Sequence, residues 1–373
     1  TLGWNVTVLS PTPSYPPGQF ERDWSLKTTD EVDGVIVHRL FTWQPTSVDP
    51  GLAERLPYYL VFGVLATLWL LWNRREHDVV VTSTPPISTG APGLAASAFG
   101  TRWLVDVRDL WIDNAVSLGY ISAGGLVERI SRRFQRMVLR TADSIAVTTP
   151  SLESSLRERY GDDLGAKTVV VPNGVDTRRF EPDATDPEPV VIYTGNLGRA
   201  QALPTVVAAM DHLENDLVLR LVGAGNAESD LRALARELGV QDRVEFTGIV
   251  SREEVPALLN RAMVGVVPLE DTAELAYAMP TKLYEYMASG LPTVVTGRGE
   301  VERFVEASDG GVHVANDPEQ VAVAIHDLVA DPERRAELAR NGRRHVREHY
   351  DRRQIAQRPG DEPETLVARR GVN

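Results

Sequence analysis

The sequence predicts an α/β protein built from two facing Rossmann-like domains. Three observations predict it. Short runs rich in Val, Ile and Leu alternate with longer helical patterns along the whole chain. Most of those runs are near-continuous in Val, Ile and Leu, as strands are in parallel sheets covered on both faces. The pattern breaks once, at VPNGVDTRRFEPDATDPEP (residues 171–189), where Pro, Asn-Gly and Asp cluster. A chain of 373 residues has room for two cores. The expected divisions are a first domain over 1–172, a second over 173–350 and an irregular tail over 351–373.

The expected strands lie at residues 5–9, 35–40, 78–83, 103–107 and 144–148, then at 190–194, 217–222, 244–246, 264–268 and 293–296. The opening TLGWNVTVLS enters a strand almost at once, so the first domain is expected to lack an initial strand and helix. Ligands in such sheets sit at the carboxyl ends of the strands, which makes the cleft between the domains the default site. Near the chain's end, QRPGDEPETLVARRGVN follows the last helical pattern with a Pro-Gly break, hence the irregular tail.

One segment exceeds what a Rossmann helix needs. YYLVFGVLATLWLLW (residues 58–72) is apolar on every face and flanked by Arg55, Arg74 and Arg75. A helix covering a sheet needs one apolar stripe, so the other face wants lipid or a second helix. At about 15 residues it falls short of the ~20 that span a bilayer, which favours lying on a membrane surface.

Composition excludes some classes. The net charge of -13 and a pI near 5.1 argue against wholesale nucleic-acid binding. Thirty-six of the 39 basic residues are arginine, which with the acidity suggests a salt-adapted source such as a halophilic archaeon. There is no cysteine, so disulfides and thiolate metal sites are excluded, and a reducing cytoplasm is the default compartment.

Four motifs can carry chemistry. TGNLGRAQAL (residues 194–203) follows a strand, and its glycines let backbone N–H groups approach a phosphate, with Arg199 adding charge. LVGAGNAESDL (221–231) repeats the device with Gly223 and Gly225, but Glu228 stands where a dinucleotide site has its third glycine, so NAD is not expected. YAMPTKLYEYMASGLP (277–292) puts Lys282 in the first turn of a helix with Glu285 at i+3. That is the wrong end of the dipole for a cation, unless it shares the N-terminus with a bound anion; the alternative is a surface Lys–Glu pair. WLVDVRDLWIDNAVSLG (103–119) gathers Asp106, Arg108 and Asp109 where a strand ends, either to meet substrate or to close the strand as an ion pair. HVREH (345–349) matches an inverted zinc-peptidase pattern but has no third ligand, and no metal is expected.

In order and spacing, NVTVLSPTPSYPPG, DVRDLW, VPNGVD, YTGNLG, LVGAGN and PTKLYEYMASGLP resemble the retaining family-4 glycosyltransferases of the B-type, two-Rossmann fold. RDLW, GNLGRAQ and PTKLYEY are most similar to the subgroup that builds surface polysaccharides and N-glycan precursors on polyprenyl phosphate carriers. The resemblance implies a nucleotide-sugar donor, a lipid-linked acceptor, transfer with retention, and neither cofactor nor metal nor covalent enzyme intermediate. It implies a peripheral position on the cytoplasmic face of the membrane. Donor binding would fall to Gly195, Asn196, Gly198, Arg199, Gly223, Gly248, Ile249, Tyr277, Thr281, Lys282 and Glu285. Within that set Glu285 is the second acid of the family's Glu-x7-Glu motif, and Tyr277 occupies the position of the first. Asn196 and Gln201 stand where relatives carry a basic pair, which throws the charge onto Arg199 and Lys282. Asp109, Arg108 and Lys282 would be the catalytic groups, and Tyr58, Phe62, Trp69 and Trp72 the acceptor and membrane contacts. Two other classes stay open: a sugar-nucleotide 2-epimerase on the same fold, and a non-catalytic membrane-associated partner of a glycan assembly complex.

Overall fold

The computed structural model describes residues 4–14, 23–45, 51–117, 119–214 and 216–357. They fall into two compact units rather than two uninterrupted halves: Thr148–Leu152 groups with the second unit, which resumes at Val171, within two residues of the expected cut.

In the first unit, β1 (Thr7–Pro11) pairs parallel with β3 (Val35–Leu40), and β2 (Lys27–Val32) pairs antiparallel with β3. The Asp33-Gly34 turn between them has positive φ at both residues, the combination a two-residue hairpin requires. Helix α1 (Leu52–Trp72) follows, then a parallel sheet in the order β4 (Val79–Thr84), β5 (Arg102–Val107), β6 (Ser144–Val147), β7 (Thr168–Val170). Its connections carry α2 (Gly90–Ala98), α3 (Trp111–Ser117), α4 (Leu126–Thr141) and α5 (Pro150–Tyr160). Trp103 at the sheet's centre is fully buried and donates from Nε1 to Thr82 Oγ1 at 2.9 Å.

Helix α1 is 21 residues, longer than the apolar run alone suggests, because Glu54, Arg55 and Pro57 are taken into its first turns. The stretch Glu54–Trp72 is long and apolar enough to cross a membrane, with 22% of its apolar window buried. Its two apolar faces differ in fate. Phe62, Ala66 and Leu70, four residues apart, are buried, whereas Leu56, Leu60, Val64, Leu68 and Trp72, also four apart, are exposed. This corrects the expected contact set. Phe62 belongs to a core cluster with Leu40, Tyr58 donates to Thr12 O at 3.0 Å, and Trp69 packs between His38 and His77. Of the four, only Trp72 faces out, at 90% exposure.

The second unit is one parallel sheet, β8 (Val190–Thr194), β9 (Val218–Val222), β10 (Val244–Gly248), β11 (Val264–Val267), β12 (Thr293–Val295) and β13 (Gly311–His313), in the spatial order β10-β9-β8-β11-β12-β13. The order reverses between β8 and β11, which marks the switch point where such sheets bind ligands. Helices α6 (Leu203–Ala209), α7 (Glu228–Glu237), α8 (Val255–Arg261), α9 (Thr281–Ala288), α10 (Glu300–Ser308), α11 (Pro318–Ala330) and α12 (Pro332–His349) cover both faces. Alternation along β8 assigns Val191 and Tyr193 to one core and Val190 and Ile192 to the other, as a strand buried on both sides requires. Of the tail expected to be irregular over 351–373, the described residues, 351–357, include a short helix. Asp351 bridges to Val175, its side chain caps α13 (Arg352–Ile355), and Ile355 is buried.

Candidate functional site

Three glycine turns leave the carboxyl ends of β8, β9 and β10, and their backbones are stitched together. Gly195 N donates to Val222 O at 2.8 Å, Gly223 N to Gly248 O at 2.8 Å and Leu197 N to Ala224 O at 3.0 Å. Gly223 has φ +135°, and a Cβ there would lie 1.9 Å from Gly195 O, so only glycine lets the first two turns meet. Gly195, Asn196, Gly198, Gly223 and Gly248 are thereby gathered at one edge of the sheet, with Ile249 exposed just beyond.

Helix α9 begins across the switch point. Pro280 stands at its N-cap without a side-chain cap, Thr281 is exposed, and Leu283 N donates to Pro280 O at 3.1 Å. The preceding loop is held by Glu300 N donating to Ala276 O at 2.9 Å. Tyr286, one turn along the helix, locks α9 to β8: its hydroxyl accepts from Thr194 N at 2.6 Å and donates to Thr194 Oγ1 at 3.1 Å.

Lys282 does not form the surface pair with Glu285 that the sequence allows. It turns toward β8, where Nζ donates to Tyr193 Oη at 2.6 Å and to Gln201 Oε1 at 2.8 Å and lies 3.8 Å from the Tyr193 ring centroid. A Cβ at Gly195 would be 3.3 Å from that nitrogen, so the ammonium abuts the first glycine turn. Burial pushes its pKa down to about 7, with the Glu285 charge pulling the other way. The lysine is therefore poised to become fully cationic when an anion arrives.

Glu285 is half-buried, and burial raises its carboxyl pKa against the opposing charges of Arg252, Arg352, Lys282 and Arg179. Tyr277, at the position of the motif's first acid, is buried, and its carbonyl accepts from Thr149 Oγ1 at 2.9 Å. Arg199 lies in the short 3-10 turn Arg199–Gln201 beside the cradle; its side chain is outside the described residues. Two participants escaped the sequence reading, Tyr193 and Gln201 as partners of Lys282. They stand 89 and 81 positions away along the chain, and only the sheet order brings them near.

The first unit holds the other candidates. Asp106 Oδ2 accepts from Ser83 Oγ at 3.0 Å and lies 3.8 Å from Arg108 Nε, and burial raises its pKa. These two groups pair locally at the end of β5. Asp109 accepts from Asn114 Nδ2 at 2.7 Å across the start of α3.

Comparison with known proteins bears on both units. A family model described as "Glycosyl transferase 4-like domain" matches residues 1–174, and one described as "Glycosyl transferases group 1" matches residues 175–345. The putative colanic acid biosynthesis glycosyl transferase WcaI of Escherichia coli K12 is 26% identical over 345 residues, 87% of this chain and 83% of that protein. The GDP-mannose-dependent alpha-(1-6)-phosphatidylinositol monomannoside mannosyltransferase of Mycolicibacterium smegmatis is 30% identical over 228 residues, 56% of this chain and 59% of that protein. Among solved structures, Anabaena HepE in complex with UDP superposes with a TM-score of 0.69 at 16% identity, over 89% of this chain and 86% of that one.

Proposed function

The chain belongs to the family-4 glycosyltransferases of the two-Rossmann B-type fold, and from that premise we propose that it transfers a sugar from a nucleoside diphosphate donor to a hydroxyl of a lipid-linked glycan, with retention at the anomeric carbon. The observation that carries the donor half is the cradle in the second unit: three stitched glycine turns, the start of α9 and one half-buried lysine. Backbone N–H groups and the Lys282 ammonium offer positive charge where a diphosphate leaving group develops its own. The departing diphosphate takes up the proton of the incoming hydroxyl as the new glycosidic bond forms. Glu285 holds the donor's ribose hydroxyls. The complex of HepE with UDP and the GDP-mannose dependence of the mycobacterial relative support a nucleotide-sugar donor.

Glu285→Ala is expected to weaken nucleoside diphosphate binding by about ten- to a hundredfold, the worth of one charge-assisted hydrogen bond. A thermal-shift panel of nucleoside diphosphates and nucleotide sugars on both proteins reads this directly, because a ligand at a hundred times its Kd stabilises by about 2.7 kcal/mol. A shift that survives unchanged in the variant removes Glu285 from the site.

The acceptor half rests on the surface of the first unit. The outward stripe of α1 has no partner in the described chain, and the outer face of α4 combines exposed Leu126, Val127, Ile130 and Met137 with exposed Arg129, Arg133, Arg136 and Arg140. Arginines interleaved with apolar side chains, in a chain of net charge -13, match an anionic lipid surface. The phosphatidylinositol monomannoside acceptor named for the mycobacterial relative supports the same reading. Leu60→Asn with Leu68→Asn is expected to reduce co-sedimentation with vesicles containing anionic phospholipid while leaving nucleotide-induced thermal shifts unchanged. Loss of both together would mean general unfolding and would remove the division of labour.

A further inference from the structure

The second unit carries another recess, at the opposite end of α9 from Lys282. It has a volume of about 400 Å³, and four arginines line it, Arg178, Arg343, Arg347 and Arg353, with Gln354 and Gln357 at its edge. Two carboxylates also line it, and both are engaged: Glu181 accepts from Arg343 at 3.1 Å, and Asp351 accepts from Thr177 Oγ1 at 2.5 Å while capping α13. Arg343 is further held by the carbonyls of Phe180 and Ala288. Arg178, Arg347 and Arg353 have no carboxylate within ion-pair distance among the described residues. The charge of Arg347 even helps to lower the pKa of Arg343. Three exposed guanidiniums without an ion-pair partner among the described residues thus surround one hollow, in a chain of net charge -13.

We propose that this recess is a second binding site, separate from the diphosphate cradle, for a small soluble phosphate monoester that also carries hydroxyls. Guanidinium forks match phosphate oxygens in pairs, and three forks around one hollow favour a dianion over a carboxylate. The volume exceeds inorganic phosphate and lies within the range of small-molecule sites. Gln354 spends its amide N–H on Arg347 O at 3.0 Å, which leaves its Oε1 to accept from a ligand hydroxyl. The site also has a mechanical link to the cradle. Arg343 grips Ala288 O, the last residue of α9, while Lys282 sits in that helix's first turn, so an occupant of the recess stiffens the helix that presents the lysine.

The test is calorimetric titration of a hexose 6-phosphate into the full chain with saturating nucleoside diphosphate present, so that the cradle is already filled. The same titration is made on the Arg347→Gln/Arg353→Gln double variant and on Lys282→Met. Binding is expected in the parent and in Lys282→Met, and affinity should fall by about tenfold for each guanidinium removed. The double variant should keep its nucleotide-induced thermal shift, which separates loss of the site from loss of the fold. No binding to the parent, equal affinity in the double variant, or loss only in Lys282→Met would each overturn the proposal.

Discussion

Replacing Lys282 by methionine is expected to lower kcat/KM by about 10²–10³, the usual effect of deleting one electrostatic contact to a developing charge. The fold should not suffer. Methionine keeps the apolar stem, Tyr193 keeps its hydrogen bond to Asn196 O at 2.7 Å, and a desolvated ammonium is removed. The variant should therefore melt no lower than the parent near neutral pH. The pH dependence has a definite sign. The folded-state pKa of about 7 lies below the ordinary value of 10.5, so between those limits the unfolded chain binds more protons. Stability of the ligand-free protein accordingly rises with pH across that window, and Lys282→Met removes that part of the slope. Below the folded pKa the lysine is charged in both states and the whole desolvation penalty is present. Donor affinity runs the other way, because a bound diphosphate favours the charged lysine and affinity falls as pH rises above 7. Melting curves and nucleotide affinities measured at about pH 7 and about pH 9 check both slopes.

Gly223→Ala should damage the site and the fold together. The residue adopts φ +135°, and a Cβ would fall 1.9 Å from Gly195 O, a backbone atom that cannot rotate aside. Backbone strain of about 1–3 kcal/mol adds to overpacking of about 1–3 kcal/mol, and relief requires separating the first two turns. The Gly195 N to Val222 O bond is then lost, and with it the alignment of N–H groups toward a phosphate. Denaturant melts should show the stability loss and a nucleotide thermal shift should be absent. Gly239→Ala is the matching control: φ is +72° there, but nothing lies within 4 Å of the added methyl, so strain appears without loss of binding.

Much of this architecture was legible in the sequence because parallel strands covered on both faces are rich in Val, Ile and Leu. The expected strands of the second unit agree with β8 to β12 within two residues. The strands that escaped lack that signature. β2 is KTTDEV, mostly exposed and antiparallel, while β7 and β13 are three residues each. The glycine turns and Lys282 were visible as local motifs, yet the lysine's partners were not, since Tyr193 and Gln201 meet it only through the sheet order. In α1 the fault lay in the signal itself. An all-apolar helix has no periodicity to say which stripe faces in, so Phe62 and Trp69 could not be told from Leu60 and Leu68. The arginine recess was invisible for a different reason, as its lining is drawn from residues 177 to 357.

The most direct measurement is calorimetric titration of a nucleoside diphosphate into the parent and into Lys282→Met at about pH 8, in two buffers of different ionisation enthalpy. With a free-state pKa of about 7, binding to the parent should take up close to one proton, and the variant should bind far more weakly and take up none. Equal affinity for the two proteins, with no proton uptake by either, would contradict a diphosphate cradle built around Lys282.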